Sequence, residues 1–226
     1  MFRGGSRIEP GRVYHVISRF VAKEWFIESN VERRCYCSLV GGAIAETDWR
    51  LFAYAIMSSH VHLGLVAGRV PLAKWMRPTH TTFAGWLNQR RERIGGVFVR
   101  GPNVIEVRPD GAARLIDYIH RNPQRAGVVR HPNDSDWTSQ RAYVGLEHQR
   151  SWLDVDCGLR LVGMSRDDFR VWVEDANTDA EALERIRVAP RRVRGRPRAA
   201  DRTANSTTIS MGTTQLSHDS SRCSFA

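Results

Sequence analysis

Residues 57–66 read MSSHVHLGLV: two histidines separated by a single valine, inside an apolar run and directly after two serines. A histidine pair is an odd choice for a core and a good choice for a metal, so the reading of this stretch governs the rest. Residues 60–67, HVHLGLVA, fit a β-strand, in which side chains at i and i+2 point to the same face. His60 and His62 then share one face while Val61 and Leu63 occupy the other. The preceding run 50–57, RLFAYAIM, also reads as a strand, and Ser58–Ser59 between the two is short enough for a tight hairpin turn.

Working outward, residues 12–19, RVYHVISR, alternate and are rich in β-formers, which predicts another strand. Residues 30–46, NVERRCYCSLVGGAIAE, place apolar groups at helical spacing with Asn30 as cap, and two glycines weaken that helix without forbidding it. Pro71 opens PLAKWMRPTHTTFAGWLNQRRER, a helical segment that Pro78 is expected to bend or break. Residues 94–107 are punctuated by glycine and carry short strand-like pieces. A helix is expected over 111–121, GAARLIDYIHR, followed by a break at Pro123, a brief second helix over 123–129 and a loop holding Trp137. Strand, helix, two strands, helix, strand pieces and helix make an α+β chain: a ferredoxin-like antiparallel sheet with helices on one face. From about residue 150 the pattern changes. Ser165 with Asp168 three residues later signals a helix start, and 151–190 reads as a small helical appendage. The division expected is a main domain over 1–150, that appendage, and a basic tail over 191–226 whose serine- and threonine-rich end, 199–226, is expected to be disordered.

The chain has 226 residues, 42 % of them hydrophobic, and a formal net charge of +10. Lysine occurs only at Lys23 and Lys74, so arginine supplies the excess charge. Arginine grips phosphate bidentately, which points toward nucleic acid as partner. The N-terminus, MFRGGSRIEPGR, lacks the apolar core of a signal peptide, and no apolar run approaches the ~20 residues a membrane span needs. The four cysteines form no Cys-x-x-Cys pair. A reduced, cytoplasmic protein with no membrane partner is the expectation.

Two imidazoles on one strand face can bind a divalent ion, but two ligands do not define a site. The alternative is one hydrogen-bonded core histidine beside one exposed histidine. A candidate nucleophile lies in IDYIHRNPQRAGVV, 116–129. Tyr118 stands on the expected helix with Arg114 one turn before it and Arg121 nearly one turn after. Arginines there suit the oxygens of a phosphate whose phosphorus lies near the phenol. A single tyrosine more often packs its ring and hydrogen-bonds its hydroxyl. Arg125, and Arg19 at the end of the first strand, are further candidate DNA contacts. His15 shares a strand face with Val13, Ile17 and Arg19 and reads as structural, with a place near the site as the alternative. His120 falls on a different helix face from Tyr118, and His80 reads as exposed.

Five motifs occur in order: YHVISR at 14–19, MSSHVHLGL at 57–65, WLNQRRERIGGVF at 86–98, YIHRNPQRAGVV at 118–129 and WTSQRAYVG at 137–145. Together they resemble the REP-associated tyrosine transposases, relatives of the single-tyrosine insertion-sequence transposases within the HUH endonucleases. The resemblance covers about residues 8–147. It implies the HUH endonuclease fold, with the histidine pair on a central strand and the tyrosine helix across the site. It also implies cleavage and transfer of single-stranded DNA next to a hairpin, a REP-like repeat, with Mg²⁺ or Mn²⁺ as cofactor. His60 and His62 match the metal-binding pair and Tyr118 the nucleophile, which leaves a 5′-phosphotyrosine and a free 3′-OH. Asn122, one turn beyond Tyr118, matches the third ligand, although Asn-Pro is also a good cap for the next helix. Relatives act as monomers or as homodimers. Two departures stand out: Ser58–Ser59 replaces the usual proline and asparagine, and VRGPNVIEV after Phe98 is less family-like. A hairpin binder that does not cut is the alternative. Separately, Arg194 and Arg196 lie in RGRP, which resembles the core of an AT-hook; an unspecific basic tail is the other reading. Either would add salt-dependent DNA affinity.

Overall fold

Strand β1 (Val13–Arg19), helix α1 (Asn30–Ala45), strands β2 (Arg50–Ile56) and β3 (His60–Val66), helix α2 (Leu72–Arg90) and strand β4 (Asn103–Val107) follow one another in a βαββαβ order. The computed structural model describes residues 8–175. The four strands form one antiparallel sheet in the order β2-β3-β1-β4, the ferredoxin-like arrangement. After β4 come α3 (Ala112–His120), the single turns α4 (Asn122–Arg125) and α5 (Gln140–Tyr143), then α6 (Val155–Val162) and α7 (Arg166–Asp175). No helix among the described residues is long and apolar enough to cross a membrane.

The two long helices share one face of the sheet. Ser18 on β1 and Tyr36 on α1 both reach His80 Nε2 on α2, each at 3.2 Å. His80 is therefore not an exposed turn residue as its threonine-rich setting suggests. It stacks on Phe98 at 4.0 Å, and burial pushes its pKa down to about 4. Pro78 does not end α2. The expectation that helices cover one face needs correction at α3: its Tyr118 meets His15 and His62, whereas Ser18, on the other face of β1, meets α2. Ala53, Ala55 and Gly64 are small residues in register on β2 and β3, Ala55 standing opposite His62.

Helix α1 starts on a capping box formed by Ser29, one residue before the expected Asn30. Glu32 Oε2 accepts from the backbone N–H of Glu28 and of Ser29 at 2.7 and 2.8 Å, while Oε1 accepts from Arg91 at the end of α2. Burial alone would raise the Glu32 pKa; the Ser29 N–H, the Arg91 guanidinium and the Glu28 N–H outweigh it and hold the group below its ordinary 4.5. A carboxylate whose folded pKa is depressed contributes stability above its unfolded pKa and loses it as pH falls through the folded one. We therefore expect the urea midpoint to fall as pH drops below about 4.5, in part through Glu32. Glu32→Gln should flatten that slope. At pH 7 it should lower stability by about 3 kcal/mol, because Arg91 and two N–H groups lose their anion.

The end of the chain's described part closes over β2. The peptide N–H of Ile56 donates to Trp137 O at 2.9 Å and that of Ser139 to Tyr54 O at 3.1 Å. The Tyr143 hydroxyl donates to Phe52 O at 2.7 Å, so the motif WTSQRAYVG covers the free edge of β2. Asp154 caps α6 through Cys157 N–H and bonds Leu51 O with its own N–H. Val155, Leu159, Phe169 and Val173 join the main core. Ser165 and Asp168 form the reciprocal start of α7 that their spacing predicts. Cys35, Cys37 and Cys157 are free thiols. The expected basic tail with Arg194 and Arg196, the expected disorder over 199–226, and Cys223 lie outside the described residues.

Candidate active site

The β2–β3 hairpin sets the histidine pair. Met57 N–H donates to His60 O at 2.9 Å across Ser58–Ser59. The turn is held from outside by the loop after β1: Phe26 and Ile27 N–H donate to Ser58 O, and Phe20 N–H to Ser59 O. Ser59 Oγ lies 3.0 Å from His60 Nδ1, so the serine that departs from the family pattern steadies the ring beside it. The His60 and His62 rings are 4.6 Å apart between centroids and nearly perpendicular. His62 is buried and His60 half-buried. Burial lowers the His60 pKa below its ordinary 6.5; a hydrogen bond with Asn122 opposes the shift and the charge of Arg19 adds to it. His60 is thus neutral at pH 7, the form that ligates metal.

Helix α3 brings Tyr118 to the pair. Its inner side is anchored by His120, fully buried, whose Nε2 lies 2.7 Å from Ser139 Oγ and whose ring meets Tyr143 edge-on. Burial pushes the His120 pKa down to about 3, so it is a neutral strut away from the site, as its helix face predicts. Tyr118 is half-buried and presents its ring edge-on to His62 at 5.8 Å and to His15 at 5.9 Å. Asn122 is not the cap of α4, whose capping position is Arg121. Its Nδ2 donates to Tyr118 O at 3.1 Å, and its amide lies close enough to His60 to oppose the lowering of that group's pKa. Two imidazole nitrogens and an amide oxygen, beside a phenol, make a donor set suited to Mn²⁺ or Mg²⁺ with water completing the shell. Among the described residues, no three or more His, Cys, Asp or Glu side chains form a metal cage of their own.

A solved structure superposes on this arrangement of sheet and helices with a TM-score of 0.53. The fold resembles that of a REP-associated tyrosine transposase. That solved REP-associated transposase is bound to a REP hairpin; 12 % of the aligned residues are identical, and the match covers 69 % of this chain and 90 % of that one. No protein-family model matches the chain, and no curated protein matches it in sequence. The likeness to the REP-associated transposase is therefore one of fold.

The arginines around Tyr118 divide. Arg19 is exposed and pairs with His60 in the β1–β3 register. Arg114 is exposed one turn before Tyr118, and the exposed Arg125 holds its guanidinium 5.1 Å from the Tyr118 ring centre. Arg121 differs from these: it bonds Asp117 at 2.7 Å, Gln124 at 3.2 Å and the Val173 carbonyl on α7, and so ties α3 to α7. His15, read from the sequence as structural with a place near the site as the alternative, lies against the pair. It is fully buried, and its Nε2 lies 2.8 Å from His62 Nδ1. The alternation of β1 gives its face, but its neighbour follows only from the pairing with β3.

Proposed function

We propose that this chain is a metal-dependent single-stranded DNA endonuclease and strand transferase, a transposase acting beside a DNA hairpin of REP type. The observation that carries the reading is the approach of Tyr118 on α3 and Asn122 on α4 to His60 and His62 on β3. The fold shared with a transposase solved on a REP hairpin supports it. A divalent ion bound there supplies Lewis-acid neutralisation of phosphate charge. His60, His62 and the Asn122 oxygen would hold it, and α3 presents Tyr118 beside the histidines. Tyr118 Oη attacks phosphorus and loses its proton to solvent as the Oη–P bond forms. The P–O3′ bond breaks, the departing 3′ oxygen takes up a proton, and a 5′-phosphotyrosine remains. The ester keeps the bond energy for rejoining to another 3′-OH, so the strand transfer needs no nucleotide cofactor. Arg19, Arg114 and Arg125 steady the DNA backbone around the reacting phosphate. The domain over 1–150 carries the chemistry, α6 and α7 within 151–190 pack on its core, and 191–226 adds basic charge. The protein works in the cytoplasm at its DNA, as a monomer or homodimer.

The test is a denaturing gel of the purified protein with end-labelled single-stranded hairpins taken from DNA flanking its gene, with Mn²⁺ or with EDTA. A covalent protein–DNA band that needs Mn²⁺ is expected. Tight binding with no cut on any such hairpin would favour a hairpin-binding protein without nuclease activity.

A further inference from the structure

His15 takes no part in the steps above, yet it touches both His62 and Tyr118 from inside the sheet face. Its ring stacks on His62 with centroids 5.0 Å apart and planes 26° apart, in addition to the 2.8 Å contact from Nε2 to His62 Nδ1. The register explains how they meet. His15 stands opposite Gly64, and His62 opposite Ile17. Gly64 has no side chain, and a Cβ there would come within 2.8 Å of the Phe52 ring. The His15 ring therefore leans to its diagonal neighbour on β3, His62.

A hydrogen bond between two neutral imidazoles needs one donor and one acceptor. If His15 donated, His62 Nδ1 would use its lone pair on that proton and carry its own hydrogen on Nε2, so neither nitrogen could ligate. If His62 donates from Nδ1, its Nε2 keeps the lone pair. We infer that His15 is a positioning residue: it accepts the Nδ1 proton of His62 and so fixes the tautomer and ring orientation in which His62 Nε2 serves as a ligand for the divalent cation. The inference rests on the metal reading of the histidine pair. An imidazole here does what a carboxylate or carbonyl does behind other metal-ligating histidines.

Two measurements test it. A long-range ¹H–¹⁵N spectrum of the metal-free wild-type protein near pH 7.5, assigned with a His62→Gln variant, should show His62 protonated at Nδ1 only. A proton on Nε2 of His62 would overturn the inference whether or not any His15 variant folds. Calorimetric titration with Mn²⁺ should then show affinity weakened by roughly 10- to 100-fold in His15→Phe. His15→Gln, whose amide oxygen can accept the Nδ1 proton, should recover part of the loss. Wild-type affinity in a folded His15→Phe protein would refute the role. Mn²⁺ uptake that is unchanged in both His60→Ala and His62→Ala would instead sink the metal reading itself, and the role of His15 with it.

Discussion

Tyr118→Phe is expected to abolish the covalent protein–DNA adduct while leaving the fold and hairpin binding intact. The ring stays, so its edge contacts with His15 and His62 and the Arg125 guanidinium over its face are kept. Only the attacking oxygen is lost. Removal of a nucleophile that forms the intermediate costs at least about 10³-fold in rate. The side chain is half-buried and keeps its ring contacts, so the melting temperature should move little. Binding measured by anisotropy should be within about twofold of wild type, because phosphate contacts from arginine dominate affinity. Cleavage that persists in Tyr118→Phe would mean that water is the nucleophile and that the tyrosine is a packing residue.

His62→Ala is expected to cause the second large loss, acting through the metal. Cleavage with Mn²⁺ should fall by more than the roughly 100-fold that loss of a supporting partner costs. His62 is buried between His15, His60 and Tyr118, so its truncation also leaves space in the sheet face. His60→Ala, at a half-buried site steadied by Ser59, should lose cleavage with a smaller change in stability. Comparing the two separates ligation from packing. EDTA should match the activity loss of either variant and add nothing to it. If both variants cut at wild-type rates with Mn²⁺, the histidines are not ligands.

The hairpin was legible from residues 50–67 because alternation fixes the face on which His60 and His62 lie, and a two-residue turn fixes antiparallel pairing. Tyr118 on a helix was equally readable, as was the neutral role of His120 on the other helix face. Partners set by register were not readable. His15 meets His62 only because β1 pairs with β3 so that Gly64 falls opposite His15. Arg121 is a candidate phosphate contact by helical spacing, and spacing does not show its bonds to Asp117 on its own helix and to Val173, 52 residues on. His80 looked exposed because a proline and threonines surround it, yet α2 runs through Pro78 and turns it onto Phe98. Asn122 carried two competing local roles. The cap position of α4 falls on Arg121, and the Asn122 amide donates back to Tyr118 O beside His60, an arrangement that local sequence does not show.

The most direct measurement is mass spectrometry of the trapped protein–DNA complex after nuclease and trypsin digestion. The account predicts a nucleotide attached to the peptide Leu115–Arg121 through Tyr118, formed only with a divalent metal. A nucleotide on any other residue, or a cut strand with a free 5′-phosphate and no modified peptide, would contradict it.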